Sequence, residues 1–93
     1  MPTAVVAVSP GDGITNIFRS VGVQVTVRGG QTMNPSTAEL VEAVERAPGD
    51  EVVILPNNSN IIPVAEQVDA NTDKTVVVVP TRGVSEAIAA LVS

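Results

Sequence analysis

Side chains suited to chemistry are few in this sequence, and they are concentrated in short polar segments that follow apolar runs. The 93 residues include no histidine and no cysteine, so the usual general base, the thiolate nucleophile and the commonest metal ligands are missing. Ten acidic and five basic side chains give a net charge of −5. This balance argues against binding nucleic acid by phosphate neutralisation and against a polybasic membrane anchor.

The first polar segment is Ser9-Pro10-Gly11-Asp12-Gly13. Backbone amides at Gly11 and Gly13, placed before a helix, could hold an anion. The same residues could instead form a tight turn in which Asp12 caps the helix. The segment lacks the third glycine of a dinucleotide fingerprint, and Asp12 would repel phosphate.

The second polar segment runs from Arg28 to Thr37 and is longer than the 2–6 residues usual between a strand and a helix. Long loops of this kind are usually functional. Gly29 and Gly30 would let the backbone approach a ligand or a partner. The segment also carries the polar side chains of Gln31, Thr32 and Asn34. We therefore predict a binding role for this loop.

The third and fourth segments contain uncharged donors and acceptors. Asn57, Asn58 and Asn60 fit a polar ligand or a partner's backbone, and capping of the next helix accounts for them equally well. Thr81 and Arg82 follow the last apolar run. Arg28 and Arg82 are either solvated side chains or a clamp for a carboxylate or phosphate.

The apolar runs that precede these segments predict four strands, at Ala4–Val8, Val23–Val27, Val52–Leu55 and Val76–Val79. The second run alternates apolar and polar residues, which is typical of an edge strand. Helical stripes follow each strand. Gly22 ends the first helix, and Ser36 with Glu39 predicts a capping box on the second. The third is expected to continue from Ile61 to about Asn71.

This βαβαβαβα order predicts a single α/β domain over residues 1–93, with a four-stranded parallel sheet in a Rossmann/flavodoxin-like three-layer sandwich. Strand order 2-1-3-4 places the alternating strand at an edge. All four polar segments then lie at the carboxyl ends of strands. Ligands of such sheets bind between strands 1 and 3, which Gly11–Gly13 and Asn57–Asn60 would flank.

The fourth strand would be a fully apolar edge strand, which invites pairing with another chain. We therefore expect weak self-association, or cover by a missing part of a longer chain. The sequence has no secretory leader and no apolar run long enough for a membrane span, so a cytoplasmic location is expected.

Several strings, distributed over nearly the whole chain, resemble the C-terminal region of the bacterial fatty acid kinase A-subunit family. These are the dihydroxyacetone kinase-like, YloV-type proteins, related to the DegV-like fold. The strings are Gly11-Asp12-Gly13-Ile14, Ile17-Phe18-Arg19-Ser20-Val21-Gly22, Gly29-Gly30-Gln31-Thr32-Met33-Asn34-Pro35-Ser36-Thr37, Leu55-Pro56-Asn57-Asn58-Ser59-Asn60-Ile61 and Val79-Pro80-Thr81-Arg82. The last string departs from the family after Arg82, where Gly83-Val84-Ser85 replaces a frequent serine and proline.

The resemblance implies a longer parent protein, an ATP-dependent kinase whose N-terminal domain binds ATP and magnesium. That protein phosphorylates a fatty acid held by a separate acyl-binding subunit, and its C-terminal part engages that subunit. This chain would be an excised lobe of that part, with no cofactor or metal of its own. Because the kinase domain's aspartate-rich loops are absent, the chain would not itself be the kinase. We expect a non-catalytic module that binds the acyl-binding subunit or a polar ligand through its carboxyl-edge loops. The alternative is a share in a composite active site that positions a phosphate or an acyl substrate.

Overall fold

The computed structural model describes residues 3–29 and 34–92 and contains one parallel sheet between two helical layers. The strands are β1 (Thr3–Ser9), β2 (Val25–Arg28), β3 (Glu51–Leu55) and β4 (Thr75–Val78). The helices are α1 (Asp12–Ser20), α2 (Thr37–Arg46), α3 (Ile62–Glu66) and α4 (Val84–Val92), with a 3₁₀ helix at Val68–Asn71. All strand pairs are parallel in the order β2-β1-β3-β4, which confirms the predicted topology.

Alternation along the central strands divides the core between the two faces of the sheet. Val6 of β1 and Ile54 of β3 pack with Leu40 of α2 on one face. Ala7 of β1 and Leu55 of β3 pack with Phe18 of α1 on the other. The continuous apolar runs of β1 and β3 are explained by this burial on both faces.

The end of α1 determines where β2 begins. Gly22 has φ +103°, and the amides of Gly22 and Val23 donate to the carbonyls of Arg19 and Phe18 at 3.2 and 3.0 Å. This is a Schellman motif, in which the glycine takes the left-handed conformation and Val23 packs on Phe18. Val23 therefore belongs to the helix end, and the prediction that β2 starts there is wrong. The strand starts at Val25.

The third helix is also shorter than predicted. Its α-helical part is five residues long, and the chain continues from Val68 to Asn71 as a 3₁₀ helix. Ile61, Ala65 and Val68 are nonetheless fully buried. The apolar stripe thus indicated the buried face correctly, but it did not distinguish the two hydrogen-bonding patterns.

Both ends of α2 are capped by side chains. Ser36 Oγ accepts from the amide of Glu39, and the Glu39 carboxylate accepts from the amide of Ser36, which confirms the capping box. At the other end, Lys74 Nζ donates to the carbonyl oxygens of Val44 at 2.9 Å and Ala47 at 2.6 Å. A cation at a helix C-terminus also interacts favourably with the helix dipole. The segment before β4 is thereby attached to α2.

The fourth strand lies at the edge of the sheet, displaced by one residue from its predicted bounds. It spans Thr75–Val78, and the amide of Val79 still donates to the carbonyl of Ile54 at 3.1 Å. Val77 keeps 44% of its surface exposed. No helix within residues 3–29 and 34–92 has the length and apolar character needed to cross a lipid bilayer.

Candidate functional site

Parallel pairing brings the four strand-to-helix loops to one edge of the sheet, as predicted. The structure sorts the residues at this edge into two groups. The inner row consists of Ser9, Asn57 and Thr81, whose side chains hydrogen bond to their neighbours within the fold. The outer row consists of predicted site residues that are exposed at the same edge: Asp12, Gly13, Arg28, Asn34, Asn60 and Arg82.

Asn57 connects three strands at their carboxyl ends. Its backbone has φ +61°, a left-handed conformation that asparagine tolerates better than most residues. This conformation follows Pro56 directly, and the side chain crosses to β1, where Nδ2 donates to the carbonyl of Val8 at 2.8 Å. The crevice predicted between strands 1 and 3 is therefore bridged by Asn57.

Thr81 completes the bridge from the end of β4. Its hydroxyl donates to Asn57 Oδ1 at 2.7 Å and accepts from the Asn57 amide at 3.1 Å. Thr81 is only 4% exposed. Because its hydroxyl donates and accepts within the fold and the residue is buried, the side chain of Thr81 supports the edge rather than facing an incoming partner.

Ser9 organises the entrance to α1. Its hydroxyl donates to the carbonyl of Gly11 at 2.9 Å and accepts from Thr15 Oγ1 at 2.8 Å. The N-cap position is occupied by Gly11, and no side chain caps the helix there. The alternative in which Asp12 is the cap is therefore wrong.

The long loop after β2 is described only at its ends. The amide of Gly29, which is buried, donates to the carbonyl of Ser9 at 3.0 Å. Asn34 is exposed just before the capping box of α2. The predicted site residues Gly30, Gln31 and Thr32, with Met33, lie outside the described residues.

The asparagines that follow Asn57 do not cap α3. The N-cap residue of α3 is Ile61, and no side chain bonds to the helix end there. Asn58 Oδ1 instead accepts from the amide of Asn60 at 2.8 Å, a local turn that leaves Asn60 exposed. Capping thus does not account for these two amide side chains.

The two arginines at this edge stand at its opposite ends. Arg28 is the last residue of β2, and Arg82 follows β4. These two edge strands are separated by three strand spacings, or about 14 Å. Arg28 pairs with Asp12 at 3.8 Å, with both side chains exposed. Glu86 Oε1 accepts from the backbone amide of Arg82 at 2.6 Å. The structure therefore does not bring the two arginines together as one clamp.

A polar groove of about 250 Å³ is lined by the end of β1, by α1 and by β2. Arg19 and Arg28 contribute positive charge to it, and Thr15 and Thr26 contribute hydroxyls. Sequence analysis did not single out Arg19 or Thr15. The sequence feature that could have identified them is their position in the predicted helix α1, where both lie outside the apolar stripe.

Chemically, the described part of this edge offers hydrogen bonds and charge. Residues 3–29 and 34–92 contain no cluster of three acidic side chains that could hold a metal ion. Every buried side-chain nitrogen or oxygen in those ranges has a hydrogen-bond partner. The inner row thus makes its hydrogen bonds within the fold, and the outer row is the part of the described edge whose residues are exposed.

Comparison with known proteins gives a consistent result. The profile of the FakA-like C-terminal family, which describes the C-terminal part of proteins like the fatty acid kinase A-subunit, matches residues 4–93. Protein YloV of Bacillus subtilis (strain 168) is 46% identical over 92 residues, which cover 99% of this chain and 17% of that protein. An uncharacterized protein of Staphylococcus aureus (strain USA300) is 43% identical over 89 residues, 96% of this chain and 16% of that protein. The chain thus spans about a sixth of the length of these relatives.

Proposed function

Because the chain belongs to the FakA-like C-terminal family, named for the fatty acid kinase A-subunit, we propose that it is a non-catalytic docking module. Its partner would be the acyl-binding subunit that presents a fatty acid to the kinase. The docking surface would be the outer row of the carboxyl edge. Other domains of a longer parent protein, where ATP and magnesium would bind, would carry the chemistry of phosphoryl transfer.

The observation that carries this proposal is the division of the edge into two rows. The inner row holds the ends of β1, β3 and β4 together through Asn57 and Thr81. The loops above it are therefore held in place before a partner arrives. A preorganised surface loses less conformational freedom on binding, which favours affinity. The exposed side-chain amide of Asn60 and the exposed guanidinium of Arg82 then supply hydrogen-bond donors from loops that are already in place.

A second candidate, a share in a composite active site, is favoured by the polar groove between α1 and β2. Arg19 and Arg28 line that groove together with two threonine hydroxyls. Guanidinium groups and hydroxyls are suited to orienting a phosphate. Asp12, which also lines it, opposes an anion and pairs with Arg28. This opposing charge is why we place docking first.

An amide NMR titration of the chain separates the two candidates. The acyl-binding subunit, a nucleotide and a fatty acyl phosphate would be added in separate experiments. Docking predicts shifts at Asn58–Asn60 and at Arg82 with the protein partner alone. Shifts around Thr15 and Arg28 with either small molecule alone would overturn docking in favour of a composite site.

A matched pair of variants tests the docking surface directly. Arg82→Ala removes an outer-row guanidinium and keeps the backbone amide that donates to Glu86. Arg46→Ala removes another exposed arginine from the last turn of α2, at the opposite edge of the sheet. We expect the first variant to weaken partner binding about fivefold or more and the second to leave it unchanged. Equal affinities for both variants would exclude Arg82 from the interface.

A further inference from the structure

The edge strand β4 lacks two of the features that keep edge strands from pairing, which are charged residues and proline. Its residues, Thr75–Val78, include no charge and no proline. The other edge strand, β2, carries the charged residue Arg28. Charged residues are a usual protection of a sheet edge. Of these two edge strands, only β2 contains one.

The backbone of β4 presents a defined set of free groups. The amides of Thr75 and Val79 donate to carbonyls preceding and within β3. Since strand amides alternate in direction, those of Val76 and Val78 point away from β3. No described strand pairs with β4 on that side. Val77 lies between these two residues and is 44% exposed.

We propose that β4 pairs with β4 of a second copy of this chain, antiparallel and about a two-fold axis through Val77. In this register Val76 of one copy lies opposite Val78 of the other, so the outward amides and carbonyls bond to each other. The two Val77 side chains meet on the axis, on the same face of the joined sheet. This is the arrangement required by an isologous interface.

Charge at the two ends of β4 favours the antiparallel direction. The exposed Asp73 precedes the strand and the exposed Arg82 follows it. Antiparallel pairing brings Asp73 of each copy to the end where Arg82 of the other copy lies, whereas parallel pairing would bring like charges together. Pro80 has no amide hydrogen, which ends the ladder on that side. No carboxylate lies within the paired segment, although the chain carries a net charge of −5.

The contact area of two short strands is small, so the association is weak. Interfaces below about 1,200 Å² belong to weak, transient complexes, so we expect a dissociation constant on the order of 0.1–1 mM. Sedimentation equilibrium and concentration-dependent amide NMR of the chain measure it. Slowed hydrogen exchange at Val76 and Val78 with rising concentration would support the proposed register, and unchanged exchange would contradict it.

Two sets of variants make the test decisive. Val77→Lys places two ammonium groups on the axis and should weaken association about tenfold or more, whereas Thr26→Lys, at the middle of the other edge strand, should not. Asp73→Arg alone should also weaken association, and Asp73→Arg with Arg82→Asp should restore it. Circular dichroism confirms that each variant is folded. A chain that stays monomeric at about 1 mM overturns the proposal. A dimer whose dissociation constant is unchanged by both sets of variants also overturns it. Another strand or partner would then be the occupant of this edge.

Discussion

Asn57 and Asn60 lie three residues apart in one loop, and the structure uses them in opposite ways. The backbone of Asn57 is left-handed, so its side chain crosses the sheet edge to the carbonyl of Val8. Asn60 donates only its backbone amide, to Asn58, and its side chain is exposed. The difference shows that backbone conformation, more than residue type, determines whether a polar side chain supports an edge or faces a partner.

Asn57→Ala should have the largest effect on stability among the changes that test this contrast. It removes the bonds to Val8 and Thr81 and leaves alanine at φ +61°. We expect the free energy of unfolding, measured in urea, to fall by roughly 2–4 kcal/mol. Asn57→Gly tolerates the same φ and should recover about 1 kcal/mol of that loss. Equal losses for both variants would show that the backbone conformation carries no strain.

Thr81→Val should have an intermediate effect. Valine keeps the shape but removes the hydroxyl, so the amide and the Oδ1 of Asn57 each lose a partner. The expected loss in the free energy of unfolding is about 1–3 kcal/mol, measured in urea. Thr81→Ser keeps the hydroxyl and loses one methyl group, so it should cost less. If serine and valine were equally destabilising, packing rather than hydrogen bonding would explain the burial of Thr81.

Asn60→Ala should have the smallest effect on stability. The side chain is exposed and the turn formed by Asn58 Oδ1 and the Asn60 amide is kept. The free energy of unfolding should change by less than about 0.5 kcal/mol, while affinity for the docking partner falls. A loss of stability comparable to that of Asn57→Ala would abolish the distinction between the two rows.

Much of the fold could be predicted because the strong signals are local and redundant. Apolar runs gave the strands, and alternation placed β2 at an edge, as observed. Ser36 and Glu39 predicted the capping box because both partners lie within one turn. Gly22 predicted the end of α1. Each of these features depends on residues close together in the chain.

The features that sequence analysis did not predict are of two kinds. Some depend on contacts between residues distant in sequence, and others are alternatives of similar local energy. The direction of Asn57 depends on Val8 and Thr81, which only the fold brings near. The role of Lys74 depends in the same way on carbonyls at the end of α2. The change from α-helix to 3₁₀ helix after Glu66 keeps the same side chains buried, so the apolar spacing does not reveal it.

Lys74 is the only lysine of the sequence, and this gives the attachment between α2 and β4 a practical consequence. Its ammonium is engaged with backbone carbonyls, so an amine-selective reagent reacts with it freely only after Nζ has left them. The rate of Lys74 acylation therefore reports transient loss of this cap. Once acylated, the side chain loses its charge and cannot restore the cap, so each labelling event also records that the cap was lost.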